Sequence, residues 1–313
     1  MHPDSRIFVA GHRGLVGSAL VRRLREGGFR NLFLAGREQL DLREQTDVRH
    51  FFNDERPEFV FLAAGKVGGI LANSTFPADF IYDNLAIELN VIDAAWRSGA
   101  RKLLCLGSSC IYPKLAPQPI PEDALLTSAL EPTNEPYAVA KIAGIKMADA
   151  YRHQHGFNAI SLMPTNLYGP GDNFDLKSSH VLPALIRKVH DARESGDAEL
   201  TVWGTGTPRR EFLHVDDLAD AAVYLMQNYD EPGIVNVGTG ADISISDLAH
   251  LIARISGFTG RIVFDTSKPD GTPRKLLDVT RLTDLGWRAR ISLEEGIRQV
   301  YNWYVESVSE AVK

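Results

Sequence analysis

The chain has 313 residues, 44% of them apolar and 24% charged, and a net charge of -6 with acidic and basic residues interspersed. This balance fits one large domain or two closely packed ones, and no basic run offers a nucleic-acid footprint. No apolar run approaches the roughly 20 residues needed to cross a bilayer, and "MHPDSRIFVAG" lacks the features of a secretory signal, so a cytoplasmic enzyme acting on a small molecule is expected. Cys105 and Cys110, the only cysteines, are poor material for disulfides or a metal site; reduced thiols and no metal are expected.

In chain order, "RIFVAG", "NLFLAG", "FVFLAAG", "KLLCLG" and "AISLMP" read as short buried strands separated by helical patterns. Strands alternating with helices predict right-handed crossovers and a parallel, doubly wound α/β sheet. Two helices look long, from about Pro77 to Ser98 and from about Tyr137 to His155. The second is apolar or small on several faces, which predicts pairing with its copy in a homodimer through a four-helix bundle, unless loops cover that face. After Pro164 the texture turns rich in glycine, asparagine and proline, then gives a helix near Val181 to Glu194 and the strand "LTVWG". "FLHVDDLADAAVYLMQN" reads as one helix capped by Asp216 and Asp217 and returning to the first domain. "GIVNVG", a helix after Ser246, "RIVFD", the loop "TSKPDGTPRK" and a terminal helix complete a smaller carboxyl-terminal α/β part. The division expected is residues 1–170 as a Rossmann cofactor domain, with 205–230 returning to it, and 171–204 with 231–313 as mainly a substrate domain.

"FVAGHRGLVGSAL" places Gly11, Gly14 and Gly17 where a strand turns into a helix. Glycines there permit a tight turn, close approach to a pyrophosphate, and close packing of helix on strand. The spacing alone is a weak signal, and its place between strand and amphipathic helix is what points to a dinucleotide. Where an NAD enzyme usually carries an acid, this chain has Arg37. Arginine pairs with a 2'-phosphate, and Arg13 adds a second cation, so NADP(H) is expected; a solvated surface arginine is the other reading of Arg37.

"EPYAVAK" puts Tyr137 and Lys141 on one face at the start of a helix. A neighbouring ammonium favours phenolate and makes the tyrosine a usable acid or base. Ser108, at the exit of the fourth strand, completes a trio in which Ser108 bonds a substrate oxygen, Tyr137 moves its proton and Lys141 holds the nicotinamide ribose. Taken singly, Ser108 reads equally as a turn serine and Lys141 as a solvated lysine.

"AGHRGLVGSA", "AAGKVGGILAN", "LGSSCIYPK", "EPTNEPYAVAKIAGIK", "MPTNLYGPGDNF", "SSHVLPALIRK", "WGTGTPRREFLHVDD" and "KPDGTPRKLLDVTRL" together resemble the GDP-L-fucose synthase family of extended short-chain dehydrogenases over nearly the whole chain. That resemblance implies an NADPH-dependent epimerase and reductase converting GDP-4-dehydro-6-deoxy-D-mannose to GDP-L-fucose. It implies Ser108, Tyr137 and Lys141 as the reductase group, and Cys110 with His180 as the epimerisation base and acid, in an order left open. From residue type alone Cys110 is a small packing residue and His180 a helix-start residue bonding backbone. A base and an acid on opposite faces are what inversion beside a ketone needs, and a thiolate and an imidazole suit the task. Cys105, in a strand, is expected to be structural.

The resemblance places cofactor contacts at Gly11, His12, Arg13, Gly14, Leu15, Val16 and Gly17. Further contacts are implied at Arg37, Asp41 and Leu42; at Leu106, Gly107 and Ser109; at Pro164, Thr165, Asn166 and Leu167; and at Lys141 and His180. It implies Lys188, Trp203, Arg210 and Asp270 as substrate contacts, with Arg209 expected at the surface. The competing readings are a nucleotide-sugar 4-epimerase or 4,6-dehydratase, which retain NAD(H) within their cycle, and a non-enzymatic NADP-sensing module, which has no use for Tyr137 and Lys141.

Overall fold

Short runs in which every residue is apolar can be buried on both faces, and that sets the centre of the molecule. The computed structural model describes residues 1–268 and 270–311. Strands β1 (Ile7–Ala10), β2 (Leu32–Phe33), β3 (Phe59–Leu62), β4 (Lys102–Leu106) and β5 (Ala159–Pro164) are separated by helices α1 (Leu15–Glu26), α2 (Gln45–Glu55), α3 (Ile70–Thr75), α4 (Pro77–Arg97) and α5 (Glu135–His155). All these strands but β2 are buried at every residue. β2, on the edge and half-buried, pairs over two residues where the sequence suggested six.

The second half contributes β6 (Asn166–Tyr168), α6 (Val181–Ser195), β7 (Glu199–Trp203), β8 (Arg209–His214), α7 (Val215–Asn228) and β9 (Ile234–Val237). After these come β10 (Asp242–Ser244), α8 (Ile245–Ser256), β11 (Arg261–Asp265), β12 (Arg274–Lys275), α9 (Thr280–Asp284) and α10 (Leu293–Ala311). The large sheet is parallel with order β2-β1-β3-β4-β5-β9, so strand order reverses beside β1 and β3. A crevice opens outside the carboxyl ends of the strands at such a point, where doubly wound sheets bind ligands.

Two expectations need correction. β9, counted with the second region, completes the large sheet by covering the edge of β5, an edge that would otherwise leave backbone groups unpaired. Leu282 of α9 and Trp287 join the same core, so the chain crosses back to the first domain twice. The run beginning "FLH" is not yet helix: Phe212 to His214 belong to β8, and the cap of α7 is His214, whose Nδ1 accepts from the Asp216 amide at 3.3 Å. Asp217 instead accepts from the backbone amides of Arg290 and Ile291, and Asp216 pairs with Arg22 at 2.6 Å. The first-turn carboxylates therefore complement the helix dipole while fastening α7 to its neighbours.

The second region has a separate core between α6, α8, α10 and the β7 and β8 strands. Helices α4 and α5 pack on each other, leaving Tyr82 and Leu89 of α4 and Val139 of α5 exposed. Among the described residues no helix is long and apolar enough to cross a membrane, and no side-chain cluster has the composition of a metal site.

Candidate active site

β1 ends at Ala10, and Gly11 turns the chain with φ +84°, a conformation that favours glycine. A Cβ at Gly17 would lie 2.0 Å from the Gly11 carbonyl oxygen, so the turn and α1 close only on glycine. Gly14, the N-cap of α1, offers no side-chain cap, and the buried Nδ1 of His12 has no protein partner. A helix amino end with free amides beside an orphaned ring nitrogen fits the pyrophosphate of a dinucleotide. Leu15 and Val16 continue the loop into α1.

Arg37 is largely exposed, with Nε 3.5 Å from Asp41, and lines a cleft of about 550 Å³ together with Arg43, Lys66 and Tyr82. Asp79 and Asp83 share the cleft and pair with Lys66 at 2.7 Å and with Arg43 at 2.9 Å, so the exposed Arg37 is the guanidinium best placed for a 2'-phosphate. Asp41 is engaged by Arg43 at 2.7 Å, which holds its carboxyl down at about 2. Arg13 pairs with Glu38 at 2.6 Å, and the Leu42 carbonyl accepts from Asn90. At the exits of the next strands, Leu106 and Ser109 are buried and Gly107 packs against Met163. Beyond Pro164, the end of β5, Thr165 and Asn166 both donate to the Glu211 carbonyl, and Leu167 sits in β6.

The chain leaves β4 in an extended conformation at Ser108 and enters a short 3-10 turn over Ser109–Ile111. Ser108 Oγ accepts from the Cys110 amide at 3.2 Å, which fixes the serine beside the thiol. Tyr137 and Lys141 project from the first turns of α5 and are 7% and 4% exposed. The Lys141 ammonium donates to Glu88 Oε1 at 2.9 Å and to the Leu106 carbonyl at 3.0 Å, so sheet and both long helices meet on one nitrogen. Burial pushes the Tyr137 phenol upward; Lys141 opposes this, Cys110 and Glu88 reinforce it, and the neighbouring Ser108 hydroxyl opposes it again, leaving the net shift upward. Lys141 does favour phenolate, as expected, but burial, with Cys110 and then Glu88, outweighs it, so the phenol form is favoured.

Cys110 is half-buried, and Lys275 Nζ approaches its Sγ at 3.4 Å. Burial alone would raise the thiol; Lys275, the Ser108 hydrogen bond and Arg210 outweigh it and bring the group below its ordinary value. Lys275 arrives here because β12 pairs with β8, opposite Arg210, and because buried Glu211 accepts the Leu277 amide at 3.0 Å. Sequence reasoning quoted the segment but missed the lysine, since only this strand pairing brings it across 165 residues to the thiol. His180 is the N-cap of α6 without a side-chain cap bond, so its imidazole is not spent on the helix, against the bland reading. His180 is exposed, and the desolvation of its ring by surrounding protein together with the Lys275 charge lowers its pKa. Cys105, buried in β4, is pushed up by burial and stays a thiol.

On the second region, Trp203 at the end of β7 is 61% exposed and carries Lys188 Nζ at 5.1 Å and Lys268 Nζ at 5.6 Å from its ring. An open aromatic face flanked by cations suits a nucleotide diphosphate. Arg210 feels both Cys110 and Asp270, and joins this surface to the thiol. Asp270 accepts from the Thr205 amide at 2.7 Å and from the Thr205 hydroxyl at 2.8 Å, and so secures the loop after Trp203. Arg209 points away, bound to Asp242 at 2.8 Å.

Residues 7–238 match the model of the NAD dependent epimerase/dehydratase family. The chain is 61% identical to the probable GDP-L-fucose synthase 1 of Oryza sativa subsp. japonica over 98% of this chain and 94% of that protein. It is similar to the NADP-bound GDP-mannoheptose C4 reductase MlghC of Campylobacter jejuni, with a TM-score of 0.91 and 41% identity over 97% of this chain and 99% of that one. The NADP-bound GDP-L-fucose synthetase of Naegleria fowleri gives a TM-score of 0.91 at 28% identity, over 100% of this chain and 98% of that one. A glycine turn shaped for a dinucleotide, a serine-tyrosine-lysine group and a thiol that shares the charge of Lys275 with an imidazole thus coincide with likeness along the full length: the chain belongs to the NAD dependent epimerase/dehydratase family and, within it, to the GDP-L-fucose synthases.

Proposed function

We propose that the chain converts GDP-4-dehydro-6-deoxy-D-mannose to GDP-L-fucose, inverting carbons three and five and reducing the ketone at carbon four. The observation that carries this reading is the Cys110 thiol, with Lys275 at 3.4 Å, beside the Ser108 and Tyr137 hydroxyls that serve ketone reduction. NADPH, when bound, supplies the hydride for carbon four. The glycine turn and the amino end of α1 would hold its pyrophosphate, Arg37 and its neighbouring cations the 2'-phosphate, and Lys141 the nicotinamide ribose.

Hydrogens on both carbons beside a ketone are acidic, because the charge left behind passes to the carbonyl oxygen. Ser108 and Tyr137 donate hydrogen bonds to that oxygen and stabilise it. Cys110, kept reactive by Lys275, takes a proton from one face, and His180 returns one on the other. After one inversion the thiol holds a proton and the imidazole lacks one, so both exchange with solvent before the second. In the reduction Tyr137 gives its proton to the carbon-four oxygen. Arg210 and Lys188 suit the diphosphate and Trp203 a base or sugar face, which supports the first domain as the cofactor unit and the second as the nucleotide-sugar unit.

The chain acts as a homodimer in this reading, its α4 and α5 packing on the partner's copies; exposed Tyr82, Leu89 and Val139 on these helices support it. A reduced Cys110 suits the cytoplasm. The test supplies GDP-4-dehydro-6-deoxy-D-mannose with NADPH and follows cofactor oxidation, then repeats in deuterated water without NADPH. Oxidation in the first, and deuterium at carbons three and five in the second, are expected. No oxidation at saturating substrate overturns the reading.

A further inference from the structure

A carboxylate stands behind the reductase group, and none of the roles above uses it. Glu88 of α4 is 5% exposed, and its Oε1 accepts from Lys141 Nζ at 2.9 Å. Its Oε2 lies against Gly144, where a Cβ would sit 2.1 Å away. Gly144 is one turn beyond Lys141 on α5, so the helix gives up a side chain at the one place where the carboxylate needs room. A buried carboxylate and ammonium in contact hold each other charged, since either alone would be costly to keep ionised away from water. Burial pushes Glu88 up and Lys141 pulls it only part of the way back, leaving the carboxyl above its ordinary value, while the carboxylate raises Lys141 against the desolvation that would lower it.

We propose that Glu88 is a positioning residue that cancels the Lys141 charge and so keeps Tyr137 a phenol, fitting the site to reduce a ketone rather than oxidise an alcohol. The proposal rests on the reductase function above. Reduction adds hydride at carbon four and needs a proton for the oxygen, so the tyrosine must begin protonated. Alcohol oxidation runs the other way and needs phenolate. A lone ammonium beside a phenol favours phenolate; a second, opposite charge on the same ammonium removes most of that pull. The charged and titratable groups facing Tyr137 are Lys141 on its own helix, Glu88 on α4, and Cys110 with the Ser108 hydroxyl after β4. Those facing Glu88 are Lys141 and the Gly144 backbone on α5, with the Cys105 thiol on β4. Glu88 is thus the one carboxylate among the groups that set the phenol.

The test compares Glu88→Gln, which keeps shape and removes charge, with Glu88→Asp, which keeps charge. With the charge gone the phenol ionises more readily, so the alkaline fall of NADPH oxidation should move down by about one pH unit or more in Glu88→Gln and stay in place in Glu88→Asp. An unmoved fall in Glu88→Gln, or an equal shift in both variants, overturns the proposal. A second measurement needs no Glu88 variant: the tyrosinate absorbance of the NADPH-bound wild type minus that of Tyr137→Phe reports Tyr137 directly. Ionisation at or above the ordinary tyrosine value of about 10 supports the proposal, and ionisation near neutrality overturns it. Because this titration requires no turnover, it separates failure of the Glu88 role from failure of the proposed reaction.

Discussion

The two edges of the active site are built in opposite ways. The edge proposed for reduction, Ser108, Tyr137 and Lys141, comes from the end of β4 and the first turns of α5, elements packed against one another in the first domain, with Tyr137 and Lys141 buried. The edge proposed for epimerisation comes from separate segments: Cys110 on a 3-10 turn, His180 at the start of α6, Lys275 on two-residue β12 and Arg210 on β8. Its cations come from the second region and reach the thiol only because β12 pairs with β8 and Glu211 anchors the loop. A rigid edge is suited to holding one oxygen in place. An edge assembled from several segments can surround a sugar whose carbons are inverted on two sides of the ketone.

That contrast is broken most severely at the rigid edge. Tyr137→Phe should lower NADPH oxidation about 10³-fold, the scale of losing a positioned general acid, and slow solvent exchange at carbons three and five much less. An equal loss in both assays would merge the two edges. Cys110→Ser should do the reverse, lowering deuterium incorporation about 10²-fold while NADPH affinity, measured by cofactor fluorescence, stays unchanged. Lys275→Met sharpens the picture through pH. The thiolate is the active form, so exchange falls as pH drops through the thiol pKa; without the lysine that pKa rises and the fall moves about one unit higher, a loss of about tenfold at neutrality. Smallest is Arg37→Ala at the exposed cofactor end: KM for NADPH should rise about fivefold with kcat unchanged and NADH use unaffected, since exposed ion pairs contribute little.

The parallel doubly wound sheet, the glycine turn and the shared face of Tyr137 and Lys141 were legible in sequence because each depends on residues close along the chain. Gly11 to Gly17 form one turn, and Tyr137 and Lys141 share one helix face. Local reading erred where tertiary partners decide: Phe212 to His214 joined β8 because β6 pairs with them, and β9 went to the open edge of β5. Glu88 and Lys275 carried no signal of their own, since a glutamate inside a helix and a lysine in a loop are ordinarily solvated.

By itself the sequence determined the doubly wound fold and the preference for NADP(H), which follow from periodicity, turn geometry and residue type, and it pointed to Ser108, Tyr137 and Lys141 by position, whereas Cys110 and His180 stood out only through the family resemblance. Tertiary structure alone decided the charges those side chains feel. Lys275 reaches Cys110 from 165 residues away and Glu88 reaches Lys141 from 53, and proton affinities depend on such distances in space.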